Sequence, residues 1–428
     1  MEKSTGFARA RYVENYRPRV VDAELAETLS SAGALLVQGA RATGKTESAR
    51  RLAASELRLD SAEPRALLAR EQPATALPGD APRLLDEWQL VPGLWNEARH
   101  AVDDRNLPGQ FILAGSASPD RDPLRHSGAG RFRHILMRTM TFAETGHATG
   151  AVSLRGLFDG PPQDLPESRI DFPAVVNRLV VGGWPGWSAR GEEAARAQTR
   201  SYVEDIAEYD FPIVGGTRRD ARRFSTFLRA LAGLSARPAT FATITRRMQE
   251  YATDRVGSAA APELHELAQR LYLVEDQSAW SPRLRSRTAL LQTPTRHLVD
   301  PSLAAALLGA GSDRLLVERE TLGFLFESQV VHDLRVFAQA MGARGVFHYR
   351  DAKGRDEIDA VVEAQDGAWL AIEVKLGEGA VDAAARNLLR VTAKIERPPL
   401  ACVVMTPTGV AHRRDDGVLV VPLTVLGP

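Results

Sequence analysis

The sequence predicts an α/β protein in three parts. These are a P-loop nucleotide-binding domain, a helical middle region with a winged-helix pattern, and a C-terminal α/β domain with a restriction-endonuclease-like (PD-(D/E)xK-type) core. Three observations predict it. The stretch Gly39-Ala40-Arg41-Ala42-Thr43-Gly44-Lys45-Thr46 follows the apolar run Ala34-Leu35-Leu36-Val37 and precedes a helical pattern, which is the strand, loop and helix context that a phosphate-binding loop requires. From Glu192 the apolar spacing turns helical and continues to the Thr240–Val274 region. Towards the end, a glutamate on an amphipathic helix, an aspartate after Glu-Ile and the run Ile372-Glu373-Val374-Lys375 form a third, separate pattern.

Length and composition set the frame. At 428 residues the chain exceeds one hydrophobic core, and the expected divisions are 1–150, 151–305 and 306–428. Lys and Arg (54) balance Asp and Glu (54), so total charge identifies no nucleic-acid partner and only local patches can. One cysteine excludes a disulfide framework or a cysteine-built zinc site and suits a reducing compartment. No apolar run after Met1 resembles a signal peptide and none is long enough for a bilayer. The expectation is a cytoplasmic, soluble protein without a membrane partner.

Taken in order, residues 1–30 read as a linker and a short amphipathic helix over Val21–Leu29. Arg11, Tyr16 and Arg17 there are candidates for a nucleotide base, a neighbouring subunit or plain surface packing. In the P-loop, Gly39 and Gly44 let backbone amides of Gly39–Thr46 turn around phosphates, Lys45 supplies a point charge to the outer phosphates, and the Thr46 hydroxyl ligates magnesium. ATP and Mg2+ are therefore the expected cofactors. A helix is expected from Thr46 to Leu57, a strand over Leu57–Asp60 and a breaker-rich connector over Pro73–Pro82. The short run Leu84-Leu85 ends in Asp86-Glu87. At the carboxyl edge of a parallel sheet, such a pair can supply a magnesium-binding aspartate and a water-activating glutamate.

The strand within Gly109–Ala117 brings Ser116 to a strand tip, where a hydroxyl can orient the attacking water or feel the terminal phosphate. A last strand is expected over Arg131–Met137. Arg131, with Arg125 and Arg133 as alternatives, is the candidate for completing the site with positive charge, in the same chain or across a subunit interface.

Gly150–Pro173, with Gly160-Pro161-Pro162 at its centre, is the expected boundary or lid. Val180–Trp187 reads as a packing corner. Within the winged-helix pattern, Arg246 and Arg247 fall on the expected recognition helix, for DNA contact or for protein packing. In the C-terminal part, Glu373 and Lys375 share one face of a strand because its period is two. With Asp359 ending a neighbouring strand on that face and Glu327 on the helix, carboxylates and an ammonium converge. Asp359 and Glu373 are candidate metal ligands, with Glu327 and Lys375 as a supporting second site.

These motifs resemble a large prokaryotic ATPase family in which an AAA-like ATPase domain is joined to a C-terminal domain of unknown function 4143. The resemblance runs through the P-loop, Leu84–Gln89, Leu113–Ser116 with Gly130-Arg131, Gly182–Pro185, and Gly354–Lys375. The chain departs from it at Ala42, where a more polar or bulkier residue is usual, and at Trp88, where isoleucine is usual. After the winged-helix pattern, where the family commonly has Asp-x-Gly, His297–Leu303 keeps Asp300 and loses the glycine. The resemblance implies ATP hydrolysis and a nuclease-like C-terminal fold. The expected function is a magnesium-dependent ATPase that couples turnover to remodelling of DNA or a protein partner. The alternative is a nucleotide-controlled homo-oligomeric switch or scaffold with a non-catalytic nuclease-like domain.

Overall fold

The computed structural model describes residues 16–117, 128–162, 164–215, 220–282, 292–351 and 353–428. Its chain falls into two compact units. One comprises residues 1–138 with 270–272, and the other 139–269 with 273–428.

The first unit contains α1 (Asp22–Ser31), β1 (Ala34–Gln38), α2 (Lys45–Leu52), β2 (Ser55–Arg58), α3 (Pro64–Glu71), β3 (Arg83–Asp86), α4 (Leu94–Arg105), β4 (Phe111–Gly115) and β5 (Phe132–Leu136). All five strands are parallel, in the order β2-β3-β4-β1-β5. The central strands carry apolar, buried cores, with Arg83 and Asp86 at the ends of β3 and Gln38 at the end of β1, because both faces of the sheet are covered. Alternation divides them: Leu36, Leu85 and Leu113 pack with Trp88, Trp95 and Ala98, whereas Leu35, Val37, Leu84 and Ile112 pack with Leu25, Leu29 and Ala49.

Two local expectations shift. The strand expected at Leu57–Asp60 is Ser55–Arg58, because pairing Leu57 with Leu85 buries Leu57 and ends α2 at Leu52. Helix α3 was not anticipated. It buries only Ala66 and Ala69 and exposes Leu67 and Leu68, so it lacks the apolar stripe that announces a helix.

In the second unit, Val152–Ser153 pairs in parallel with Leu426–Gly427, near the end of the chain. The expected corner at 180–187 is a packing corner. Trp184 is fully buried and stacks on Trp187 with centroids 5.3 Å apart. The Gly183 amide donates to Asp300 Oδ2 at 2.9 Å, while Asp300 Oδ1 caps the helix Pro301–Leu308 through the Ser302 amide. A Cβ on Gly183 would lie 2.1 Å from the Met140 carbonyl oxygen, so only glycine fits.

Next come the helix Ala221–Ala232, the short strand Arg237–Pro238, the helices Phe241–Gln249 and Ala260–Arg270, and the antiparallel strands Val274–Gln277 and Thr295–Leu298. Buried Arg296 donates to both Asp276 oxygens at 2.8 Å, and His265 joins the pair. The last part is a six-stranded mixed sheet. Gly345–Arg350, Glu357–Glu363 and Trp369–Val374 are antiparallel, and Ala401–Thr406 and Leu419–Pro422 continue in parallel. Its core is Val361, Trp369, Ala371 and Val404 against Ala384, Ala385 and Leu388 of the helix Val381–Thr392. The long helix Arg319–Ala340 runs along the first three strands.

Candidate functional site

Parallel register brings the motif residues of the first unit to one edge. Gln38, Gly115 and Leu136 are level in the sheet, and Asp86 is level with Ala114. The P-loop, Asp86-Glu87 and Ser116 therefore leave the same carboxyl ends. Gly39 has no room for a side chain, since a Cβ there would meet the Met137 carbonyl oxygen at 2.1 Å. Ala42 and Gly44 adopt φ of 64° and 95°, left-handed positions of the kind that turn successive amides inward into an anion-binding concavity.

Lys45 is buried and its Nζ donates to the Ala40 carbonyl at 2.8 Å, within the loop itself. Thr46 donates its hydroxyl to Asp86 at 2.9 and 3.1 Å. Burial pushes the Asp86 carboxyl up to about 6, the Thr46 bond opposes this, and the Glu87 charge adds to it. One carboxylate beside one hydroxyl, at the mouth of a phosphate-binding loop, fits a magnesium ion that takes its remaining ligands from phosphates and water.

Glu87 also has a left-handed backbone, with φ 54°. Its Oε2 accepts from Ser116 Oγ at 3.2 Å and from the Gln89 amide. Gln89 is a member of the site that sequence reasoning missed. Its amide also reaches Ser116 at 3.4 Å, while its Oε1 is buried without a hydrogen-bond partner. Arg19 is a second missed residue. Buried, it donates to the Thr43 carbonyl at 2.7 Å and the Arg138 carbonyl at 2.8 Å, fastening the loop to the chain after β5. Tyr16 packs rather than reaching outward. Its hydroxyl donates to Asp22 at 2.6 Å and lies 2.7 Å from Ser48 Oγ, and its ring lies under Arg51.

The arginine expectation is corrected within the chain. Arg131 precedes β5, and its carbonyl accepts from the amide of Ala34, the first residue of β1. It thus sits at the amino edge of the sheet, a strand length from the P-loop, and pairs with Asp103 of α4 at 2.6 Å. Arg133 is exposed in mid-strand. Arg11 and Arg125 lie outside the described residues.

The C-terminal candidates do meet. Lys375 Nζ lies 2.9 Å from Glu373 Oε1 and 3.7 Å from Asp359 Oδ2. Asp359 Oδ2 also accepts from the Val374 amide at 2.8 Å, and Glu373 Oε2 is buried without a partner. Burial and the Asp359 charge push Glu373 up to about 7. Burial, with the Asp359 charge beside it, likewise holds Glu327 well above the carboxylate range. The ammonium of Lys375 supplies positive charge to both carboxylates. Among the described residues no group of three or more His, Cys, Asp and Glu side chains is set to hold a metal.

A buried polar chain supports the cluster. Gln277 donates to the carbonyls of Asp359 at 3.0 Å and Phe347 at 2.9 Å, and its Oε1 lies 3.1 Å from His297 Nε2. The other nitrogen of His297 lies 3.0 Å from Ser328 Oγ, next to Glu327. Burial holds His297 well below the usual imidazole range, so it is neutral. In the middle region, Arg246 and Arg247 lie on the second helix of the three. The third, Ala260–Arg270, exposes Glu263, Glu266 and Gln269.

Three family models match this chain: an AAA domain over residues 31–146, a domain of unknown function 8612 over 173–314 and a domain of unknown function 4143 over 322–426. Uncharacterized proteins of Mycobacterium bovis and Mycobacterium tuberculosis are each 27% identical over 347 residues, covering 80% of this chain and 70% of the relative. Among solved structures, a Walker-type ATPase of Pyrococcus abyssi aligns over 71% of this chain and 99% of its own, at 16% identity and a TM-score of 0.44. The ORC1 protein of Aeropyrum pernix, solved in complex with DNA, aligns over 72% and 97%, at 17% identity and a TM-score of 0.24. No helix among the described residues is long and apolar enough to cross a membrane. The match to an AAA domain at residues 31–146 and to a domain of unknown function 4143 at residues 322–426 is consistent with the architecture of the prokaryotic AAA-like ATPases that carry that C-terminal domain.

Proposed function

We propose that the chain is a magnesium-dependent ATPase whose turnover acts on DNA or a DNA-bound partner through its middle and C-terminal domains. The observation that carries this reading is the meeting of Gly39–Thr46, Asp86, Glu87 and Ser116 at one sheet edge. Amides of the loop and the Lys45 ammonium would hold the phosphates. Magnesium bound with ATP would neutralise phosphate charge there, and Thr46 and Asp86 would hold it. Glu87 would accept the proton of the attacking water, with Ser116 and Gln89 fixing the direction of its carboxylate.

The test is ATP hydrolysis with and without double-stranded DNA. Lys45→Ala should lose nucleotide binding, whereas Glu87→Gln should bind ATP and not turn it over. Near-normal turnover in Glu87→Gln would sink the assignment. Arg131 can serve this chemistry only in a neighbouring copy. Mixing Arg131→Ala with Lys45→Ala protein should then restore activity, and no restoration would leave the site built within one chain.

The order helix, strand, helix, helix and two-stranded hairpin over residues 221–298 supports a winged-helix reading of the middle domain. The C-terminal sheet with Glu327, Asp359, Glu373 and Lys375 supports a restriction-endonuclease-like core. A second reading has its own observation. Lys375 beside Asp359 and Glu373 favours a nuclease-like domain that does not cut, in a nucleotide-controlled oligomeric switch. Magnesium- or manganese-dependent cleavage of linear and branched DNA that disappears in Glu373→Ala would exclude it.

A further inference from the structure

The middle region carries a groove that none of the motifs above uses. The helix Ala221–Ala232 buries Phe224, Phe227, Leu228 and Leu231. Arg222, Thr226 and Arg229, spaced four and three residues apart, therefore line up on its outer face. Two adjoining cavities of about 320 and 330 Å³ flank that face and share Thr226 and Tyr251. Arg200 and Arg229 line the first, and Arg222 and Arg223 the second. All four arginines are exposed.

Several exposed arginines of this unit are paired, Arg237 with Glu320, Arg247 with Glu250, Arg314 with Glu318 and Arg390 with Asp356, and the four along the groove are not. Among the described residues, no carboxylate lies within ion-pair distance of Arg200, Arg222, Arg223 or Arg229. Glu204, Asp220 and Asp254 also reach the groove walls. Of these, Asp220 is used as the helix cap, accepting from the Arg222 amide at 2.9 Å. Arg229 lies over the Tyr251 ring, 4.4 Å from its centroid.

We propose that this groove holds the phosphodiester backbone of a single nucleic-acid strand. Guanidinium forks and the Ser225 hydroxyl match phosphate oxygens and read no sequence, while the Thr226 hydroxyl is held on the Arg222 carbonyl at 2.9 Å. A guanidinium held over a tyrosine ring offers its other face to an unstacked base. Concavity favours a single strand, because a duplex is entered by a protruding element. The third helix, which a winged helix would insert into a major groove, here presents Glu263 and Glu266 to solvent. Exposed carboxylates on that helix do not favour a duplex backbone.

This inference deepens the nucleic-acid side of the function proposed above. Its test is anisotropy of a labelled oligothymidine of about 20 nucleotides, titrated with full-length protein in EDTA without ATP across a salt series. For single strands, log affinity falls with log salt by about 0.7 per phosphate contact. Arg222→Gln/Arg229→Gln should reduce that slope by about 1.4 and weaken binding roughly 25-fold at about 0.1 M salt. Arg200→Gln, on a different helix, should reduce the slope by about 0.7. Arg413→Gln, an exposed site on a distant strand, should change neither. Oligouridine in parallel separates RNA from DNA as the source of the strand. Equal slopes in all variants, preference for a duplex of the same length, or binding of polyglutamate in place of the oligonucleotide would each overturn the proposal. Normal ATP hydrolysis with no strand binding removes the groove alone. No ATP hydrolysis with arginine-dependent strand binding removes the ATPase reading alone.

Discussion

The two acidic clusters of this protein neutralise themselves in opposite ways. At the P-loop, Asp86 is buried beside a hydroxyl, and Lys45 is bonded to the Ala40 carbonyl of its own loop. In the C-terminal cluster, Lys375 Nζ is bonded to Glu373 at 2.9 Å and lies 3.7 Å from Asp359. The first site is made largely of backbone, and among the described residues no cation pairs with its aspartate. The second is made of side chains and carries its counter-charge with it. A buried carboxylate without a cation is a standing cost that a bound cation removes. The first site is therefore poised for an added cation, and the second is folded as though it already had one.

The same substitution at the two sites should break them differently, and this is the largest expected effect. Glu87→Gln should lower ATP turnover about 10²- to 10⁴-fold without changing the melting temperature. Glu373→Gln should leave ATP turnover unchanged and raise the melting temperature at pH 8. A fall in turnover in Glu373→Gln would show that the clusters are not independent.

Next in size is removal of a charge. Lys375→Met leaves Glu373 and Asp359 facing each other without an ammonium. Breaking a buried pair costs about 3–5 kcal/mol. Lys375 is about one-third exposed, which lowers the expectation to about 2–3 kcal/mol. Asp86→Asn should do the reverse and stabilise the nucleotide-free protein while abolishing turnover. Denaturant melts of both variants read the two signs directly, and equal signs would end the comparison.

The pH dependence follows from the same carboxylates. Asp86 is raised from 3.8 to about 6 and Glu373 from 4.5 to about 7. In each case the native state binds its proton more tightly than the unfolded chain. The associated stability is present below the unfolded value and is lost as pH rises through the folded one. Stability of the nucleotide-free protein should thus fall between about pH 4 and pH 7, by up to about 3 kcal/mol for Asp86 at about 1.4 kcal/mol per unit. Magnesium with ATP should flatten the Asp86 part of the profile and leave the Glu373 part. A profile that is flat without ligand, or unaltered by it, would contradict the assignment of the open charge to Asp86.

What the sequence reveals of each cluster follows its construction. The P-loop is contiguous, and Asp86, Glu87 and Ser116 each end a short apolar run, so strand length alone locates them. Glu373 and Lys375 are legible through the period of two. Arg131 was misplaced because basic residues after a strand look equally available whichever end of the next strand they precede. Only the pairing of Ala34 with Phe132 decides the edge. Arg19, Gln277 and His297 carry no local signal, since each acts through a partner distant in sequence or through a backbone carbonyl. The winged-helix pattern located Arg246 and Arg247 on a helix but not on which of three, because helix order depends on the short strand Arg237–Pro238, two residues too short to announce itself.

The smallest effect separates backbone from side chain within the first site. Ala42 holds φ at 64°, where a Cβ costs roughly 1–2 kcal/mol. Glycine there would remove that strain but add freedom to the unfolded chain, which costs about 0.4–1 kcal/mol. Ala42→Gly should therefore stabilise the protein by a net of about 0.5–1 kcal/mol, seen as a small rise in melting temperature. The strain is worth keeping only if the loop must stay pre-shaped for phosphates. ATP affinity should then fall slightly in Ala42→Gly even as stability rises, because the freed loop must be reordered on binding. A rise in both would mean that the left-handed turn at Ala42 is incidental, and that the loop is held in shape by Arg19 on the Thr43 carbonyl and by the close approach of Gly39 to Met137.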